Sequence, residues 1–282
     1  FNPTFLTPNG ESQVTGHSTQ IITDKAREWL KKRDHKKPFL LCTQFKVPHI
    51  HRLPPINRMH GYDDIEFPVP ETFFDDFSSR SSFVSETWMA LKGMKGHVLN
   101  IAPTMEEIKK SPKIRPPFLH EMNSKQQKAW HSAYDPRNLR YQKLIQEGKL
   151  QGETKSLYIY QRFIKDYVRC VDGLDDQIGR ILNFLDEHNL TENTLVIYSS
   201  DQGFFTGEHG WAEKRWMYEE SFRSPLLMRW PKMVKPGTKI TQLVQNIDLA
   251  PTFIKAAGLT PPETVHGIAL QPILSNPSSR SW

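Results

Sequence analysis

Asp201, Gln202, His209 and Lys214 crowd into one short stretch. It runs Ser199-Ser200-Asp201-Gln202-Gly203, then Gly207-Glu208-His209-Gly210, then Lys214. Asp and Gln side chains are hard oxygen donors of the kind Ca²⁺ or Mg²⁺ takes. A histidine can hold or pass a proton near neutral pH. A lysine can neutralise negative charge that develops on a transferred group. The bland alternatives are a capped turn for Asp201-Gln202 and a surface amine for Lys214. His209 can equally bind substrate or hold its loop by hydrogen bonds. Two oxygen donors fall short of the about six to eight that Ca²⁺ wants, so further ligands must come from elsewhere.

A strand-like run, Leu195-Val196-Ile197-Tyr198, leads straight into this stretch. In open α/β sheets ligands sit outside the carboxyl ends of the strands, so the loop after Tyr198 is where chemistry belongs. A second run, Phe39 to Phe45, also reads as a buried strand, and Lys46-Val47-Pro48-His49-Ile50-His51 follows it. If both strands share one sheet, their ends point into one crevice. His49 then joins the candidate site as an acid or base, with His51 its near rival.

Other elements complete an alternating order. A short helix is expected over Lys25–Leu30, ahead of the stop at Lys36-Lys37-Pro38. Ile164, Val168, Val171, Ile178, Leu182 and Leu185 recur at helical spacing and predict an amphipathic helix over 155–188. Asn189 is suited to the left-handed position past its end. Asp172, Asp175 and Asp176 on this helix read as salt-bridge partners on a solvated face. A short helix at Met217–Phe222, strands at Leu226–Trp230 and Ile240–Gln245, and a helix Leu249–Ala257 capped by Asp248 follow, with Gly258 beyond it. Between about 61 and 152 prolines recur and apolar periodicity is poor, which predicts a long irregular insertion with short helices. The fold class is therefore α/β, helices flanking a sheet.

Composition bounds the alternatives. The chain has 282 residues, 37% hydrophobic and 24% charged, with a net charge of +6. Lysines and arginines are interleaved with nearly as many acids, so a nucleic-acid footprint is not expected. Cys42 and Cys170 lie far apart and read as small buried hydrophobes rather than a disulfide. No apolar run approaches the roughly 18 residues of a membrane span. The chain opens Phe1-Asn2-Pro3 without a signal peptide and closes at Arg280-Ser281-Trp282, so both ends read as cuts through a longer protein.

Four blocks, in order and spacing, resemble the sulfatase family of the alkaline-phosphatase-like superfamily. They are Phe39 to His49, Val171 to Arg180, Ser199 through Trp211 with Lys214 to Glu220, and Asn246 to Phe253. The resemblance implies a sandwich with a mostly parallel central sheet, present here in part. It implies Ca²⁺ (rather than Mg²⁺) on Asp201 and Gln202, with His49 and Lys214 at the sulfate. It also implies hydrolysis of a sulfate ester, on a sugar or polysaccharide, by a formylglycine nucleophile. His209 and His51 are the substrate-binding candidates. A periplasmic, lysosomal or secreted setting is implied too; the oligomeric state is left open. Formylglycine arises within Cys/Ser-x-Pro-x-Arg. Neither Cys42, Cys170, Ser78-Ser79-Arg80 nor Ser278-Ser279-Arg280 fits, so this chain alone is expected to be inactive. Residues 1–282 then form part of a catalytic domain. The rivals are a phosphodiesterase or phosphonate monoester hydrolase of the same superfamily, and a non-catalytic glycan-binding or structural module.

Overall fold

The computed structural model describes residues 1–94 and 96–276. In chain order its strands are β1 Thr4–Thr7, β2 Gly10–Gln13, β3 Val196–Ser199, β4 Phe205–Thr206, β5 Ala212–Glu213 and β6 Leu226–Arg229. Its α-helices are α1 Ser18–Lys32, α2 Ser82–Ser85, α3 Met105–Lys110, α4 Pro117–His120, α5 Ser124–Gln146, α6 Gly152–Glu187, α7 Glu219–Phe222, α8 Leu249–Ala256 and α9 Gln271–Ser275.

The axis of the molecule is α6, whose 36 residues span about 54 Å. Its apolar stripe buries Ile159, Phe163, Ile164, Leu174, Phe184 and Leu185. Against that stripe pack α1 along one side and Phe73, Leu91, Leu99 and Ala212 along another. A second core gathers Leu53, Met59, Phe118, Leu119 and Met122 around Trp130 and Tyr134 of α5. A third, aromatic, centres on Phe205 and Trp211 with Met89. The carboxylates of α6 behave as its charge pattern predicts: Arg58 pairs with Asp176 at 2.5 Å, Tyr62 donates to Asp172, and Asp175 is exposed.

Several expectations are corrected. Helix α1 starts seven residues before Lys25, at Ser18, because Ile21 and Thr23 share the buried face with Ala26 and Leu30. The run Phe39–Phe45 is extended, its odd-numbered side chains half-buried, yet it enters no ladder among the described residues. The sheets described are three antiparallel pairs, β1–β2, β3–β6 and β4–β5, so the parallel pairing expected for the centre is not seen within them. β1–β2 and β4–β5 close through short connections too brief for a parallel crossover, while β3–β6 is antiparallel across the long 200–225 connection. Ile240–Gln245 forms no strand. Asp248 does not cap α8; its carboxylate accepts from the amides of Gln245 and Ile268. Cys170 is buried as expected, but Cys42 is exposed on the extended run.

The segment 61–152 is more ordered than its prolines suggest. It carries the 23-residue α5, with Pro136 inside it, and the capped α3. Weak amphipathicity hid α5, because its buried positions include Gln126, His131 and Asn138.

Candidate active site

The extended run at 39–45 and strand β3 do end at one place. A cleft of about 760 Å³ is lined by Phe45 to His49 on one side and by Ser200 to Phe204 on the other. Lys214 and the segment from Glu219 to Pro225 close it. The 200–204 loop is pinned from behind. The Gly203 amide donates to Ser221 O at 2.8 Å, and Asn246 Nδ2 donates to the carbonyls of Ser200 and Asp201 at 3.2 and 3.1 Å. A Cβ at residue 203 would meet the backbone carbonyls of Glu220 and Arg223, so only glycine allows this approach.

The cleft brings together His49, Asp201, Gln202 and Lys214. His49 is exposed and its Nδ1 lies 3.0 Å from the carbonyl of Ile50. Asp201 is exposed, and its carboxylate accepts from Ser200 Oγ at 3.2 Å. Lys214 differs: its side chain is 6% exposed and its Nζ sits 5.5 Å from the centre of the Phe204 ring. Its ion-pair contact among the described residues is Glu213 Oε2 at 3.5 Å. The other Glu213 oxygen accepts from Arg52 Nη2 at 2.8 Å. Tyr167 lines the wall, its phenol pushed up chiefly by burial.

His51 and His209 lie elsewhere. His51 borders a second hollow, with Arg115 and Pro116, and its ring lies 5.3 Å from that of Phe118. His209 is 8% exposed, packed among Phe205, Trp211 and Tyr218, with Nδ1 2.7 Å from Asp75 Oδ2. Asp75 also accepts from Arg80. Its carboxyl is held below the usual range, first by the amide of Phe77 and then, against burial, by His209 and Arg80. His209 therefore ties the turn to the 71–80 segment. Gly207, with φ of 122°, makes that turn possible: a Cβ would come within 2.5 Å of the Tyr160 ring. Sequence reasoning missed Arg52 and Glu213. The only available signal was adjacency, each standing next to a singled-out residue.

Asp201 and Gln202 have the oxygen chemistry of a Ca²⁺ site but not its coordination number. No group of three or more His, Cys, Asp or Glu side chains among the described residues could hold a metal ion. Asp201 and Gln202 thus offer two of the oxygen donors such an ion would take.

Residues 207–282 match the family described as N-sulphoglucosamine sulphohydrolase, C-terminal. The chain is 36% identical over 278 residues to an N-acetylglucosamine-6-O-sulfatase of Bacteroides thetaiotaomicron, covering 98% of this chain and 49% of that one. It is 26% identical to arylsulfatase K of Xenopus laevis, covering 96% and 43%. A solved structure of BT4656 in complex with its substrate D-glucosamine-2-N,6-O-disulfate matches with a TM-score of 0.92 at 36% identity, over 98% of this chain and 56% of that one. The chain spans about half the length of the curated relatives it matches.

Proposed function

This chain belongs to the sulfatase family, and on that premise we propose that the protein built around it hydrolyses a sulfate ester of an amino sugar, with 6-O-sulfated glucosamine as the first choice. The observation that carries this reading is the convergence of His49, Asp201, Gln202 and Lys214 on one cleft. Lys214 would meet the sulfate oxygens, since a nearly buried ammonium over an aromatic ring is a strong anion contact. His49, at the open rim, would carry a proton to or from the ester oxygen. Asp201 and Gln202 would supply part of a Ca²⁺ site. Such an ion would polarise the sulfate group. The nucleophile expected for the family, formylglycine, has no matching Cys/Ser-x-Pro-x-Arg among the cysteines and serines considered above.

The polymer context of the sugar and a periplasmic, lysosomal or secreted location are part of the same proposal. No described helix is long and apolar enough to cross a membrane.

Calorimetry on the 282-residue chain tests it, with N-acetylglucosamine 6-sulfate against N-acetylglucosamine. The expected result is selective binding of the sulfated sugar, weakened in Lys214→Ala, without turnover of an aryl sulfate by the chain alone. Equal binding of both sugars sinks the proposal. A preference for a phosphate diester shifts it to the phosphodiesterase reading. Sulfated-sugar binding indifferent to Lys214 supports a glycan-binding module instead.

A further inference from the structure

We propose that Glu213 is a positioning residue for Lys214 and that Arg52, held behind it, completes the device. The inference rests on the reading that the cleft takes an anionic ester. Neither Glu213 nor Arg52 lines the cleft; both act through Lys214.

Three charges lie almost out of water. Side-chain exposures are 1% for Arg52, 5% for Glu213 and 6% for Lys214. Burying charge at this depth is unfavourable unless the charges answer one another. One carboxylate faces two cations, so the trio carries a net +1. An anion entering the cleft would bring that to zero.

The division of contacts is unequal. Arg52 takes the close one, Nη2 to Oε1 at 2.8 Å, while Lys214 Nζ stands 3.5 Å from Oε2. The Phe204 ring sits under both cations, 5.2 Å from Arg52 Cζ and 5.5 Å from Lys214 Nζ. Phe163 adds a second face to Arg52 at 4.9 Å. An ammonium has three donors, and a 3.5 Å contact uses none of them fully. Lys214 is therefore aimed by Glu213 without being neutralised by it. Were Arg52 absent, the carboxylate would draw the ammonium into a full hydrogen bond and away from a ligand.

The backbone supports a built arrangement. Glu213 has φ of 83°, a conformation that a non-glycine residue rarely adopts. Such residues persist where their surroundings hold them. Here the β4–β5 pairing of Phe205 with Glu213 and the Arg52 ion pair do so. Arg52 is itself fixed: its carbonyl accepts from Asn100 Nδ2 at 2.8 Å.

A charge-balanced double variant separates position from charge. Arg52→Met with Glu213→Gln leaves Lys214 alone, so the net charge stays +1. Removing both partners of a buried pair is often neutral for folding, and a thermal melt checks this. The first readout is calorimetry. Affinity for N-acetylglucosamine 6-sulfate should fall about tenfold, while that for N-acetylglucosamine holds. The second needs no ligand: reductive methylation of Lys214, read by peptide mass spectrometry relative to the exposed Lys255. The double variant should label about tenfold faster, because nothing then holds the amine. Native affinity for the sulfated sugar, or an unchanged labelling ratio, overturns the proposal. If the native chain binds neither sugar, the anionic-ester reading fails while the labelling ratio still decides what Glu213 does.

Discussion

Where α5 meets α6, the buried carboxylate of Asp166 uses both its oxygens: Oδ1 accepts from Tyr134 Oη at 2.8 Å and Arg169 Nη1 at 2.7 Å, and Oδ2 from Asn100 Nδ2 at 2.8 Å. Arg169 goes on to Gly61 O and Asp63. At the cleft the opposite holds. Among the described residues Lys214 makes one loose ion pair, Arg52 behind it leaves Nε and Nη1 buried without a hydrogen-bond partner, and His49 and Asp201 face water. A scaffold gains from saturating its polar groups, because each one left unpaired in low dielectric is destabilising. A site that must meet a ligand keeps contacts free for it. The two regions share one side chain, Asn100, which binds Asp166 and the carbonyl of Arg52 together.

The largest expected effect lies on the scaffold side. Asp166→Ala takes the acceptor from Arg169 Nη1, Tyr134 Oη and Asn100 Nδ2 at once, and should cost about 3–5 kcal/mol of stability, read by denaturant unfolding. A loss under about 1 kcal/mol would mean the α5–α6 network is not what holds this region. Next comes Lys214→Ala. Stability should stay within about 1 kcal/mol, while turnover of a sulfated sugar by the complete enzyme should drop about 10²–10³-fold. A variant that instead unfolds would erase the distinction between the two regions.

This contrast also explains what could be foreseen from the sequence. His49, Asp201, Gln202 and Lys214 sit on short contiguous runs, so each could be singled out in the sequence as a candidate, and the structure brings the four to one cleft. The apolar stripe of α6 was legible for the same reason, because its period is local. Residue α5 Tyr134 and its partner Asp166 were not, since a polar core is written in pairs far apart along the chain. Gln126, His131 and Asn138 on the buried face of α5 flattened the periodicity that would have announced the helix. His209 shows a related limit: nothing local in its glycine turn announces Asp75, 134 positions away, which lies beside it. Glu213 carried no signal beyond its neighbour, because its meaning depends on Arg52.

A third prediction tests the scaffold through pH. His17 is buried beside Phe1, its Nε2 2.9 Å from Leu53 O, and burial lowers its pKa to about 4. The unfolded chain binds that proton near pH 6.5 and the folded chain does not. Stability from the neutral ring is thus present above about pH 6.5 and declines as pH falls toward 4, by about 3 kcal/mol in all. Equilibrium unfolding at several pH values should show this slope, and His17→Gln should flatten it. An unchanged slope in that variant assigns the acid sensitivity to other groups.

The smallest effect is the sharpest check on whether scaffold and cleft are separable. Thr104 caps α3: its Oγ1 accepts from the Glu107 amide, and the Glu107 carboxylate accepts from the Thr104 amide at 2.7 Å. The next amide, Met105, donates to Asp135 of α5 at 2.9 Å, so the helix start is anchored from both sides. Thr104→Ala removes one acceptor from a helix end whose first amides have no partners within the helix. The cost should be about 1 kcal/mol, seen as a melting-temperature drop of about 2–4 °C. Affinity for a sulfated sugar should not change, because no residue of α3 lines the cleft. A parallel loss of affinity would show that the surrounding packing transmits small displacements to Asn100 and on to Arg52, and that the Asp166 network is part of the site's tuning rather than only its support.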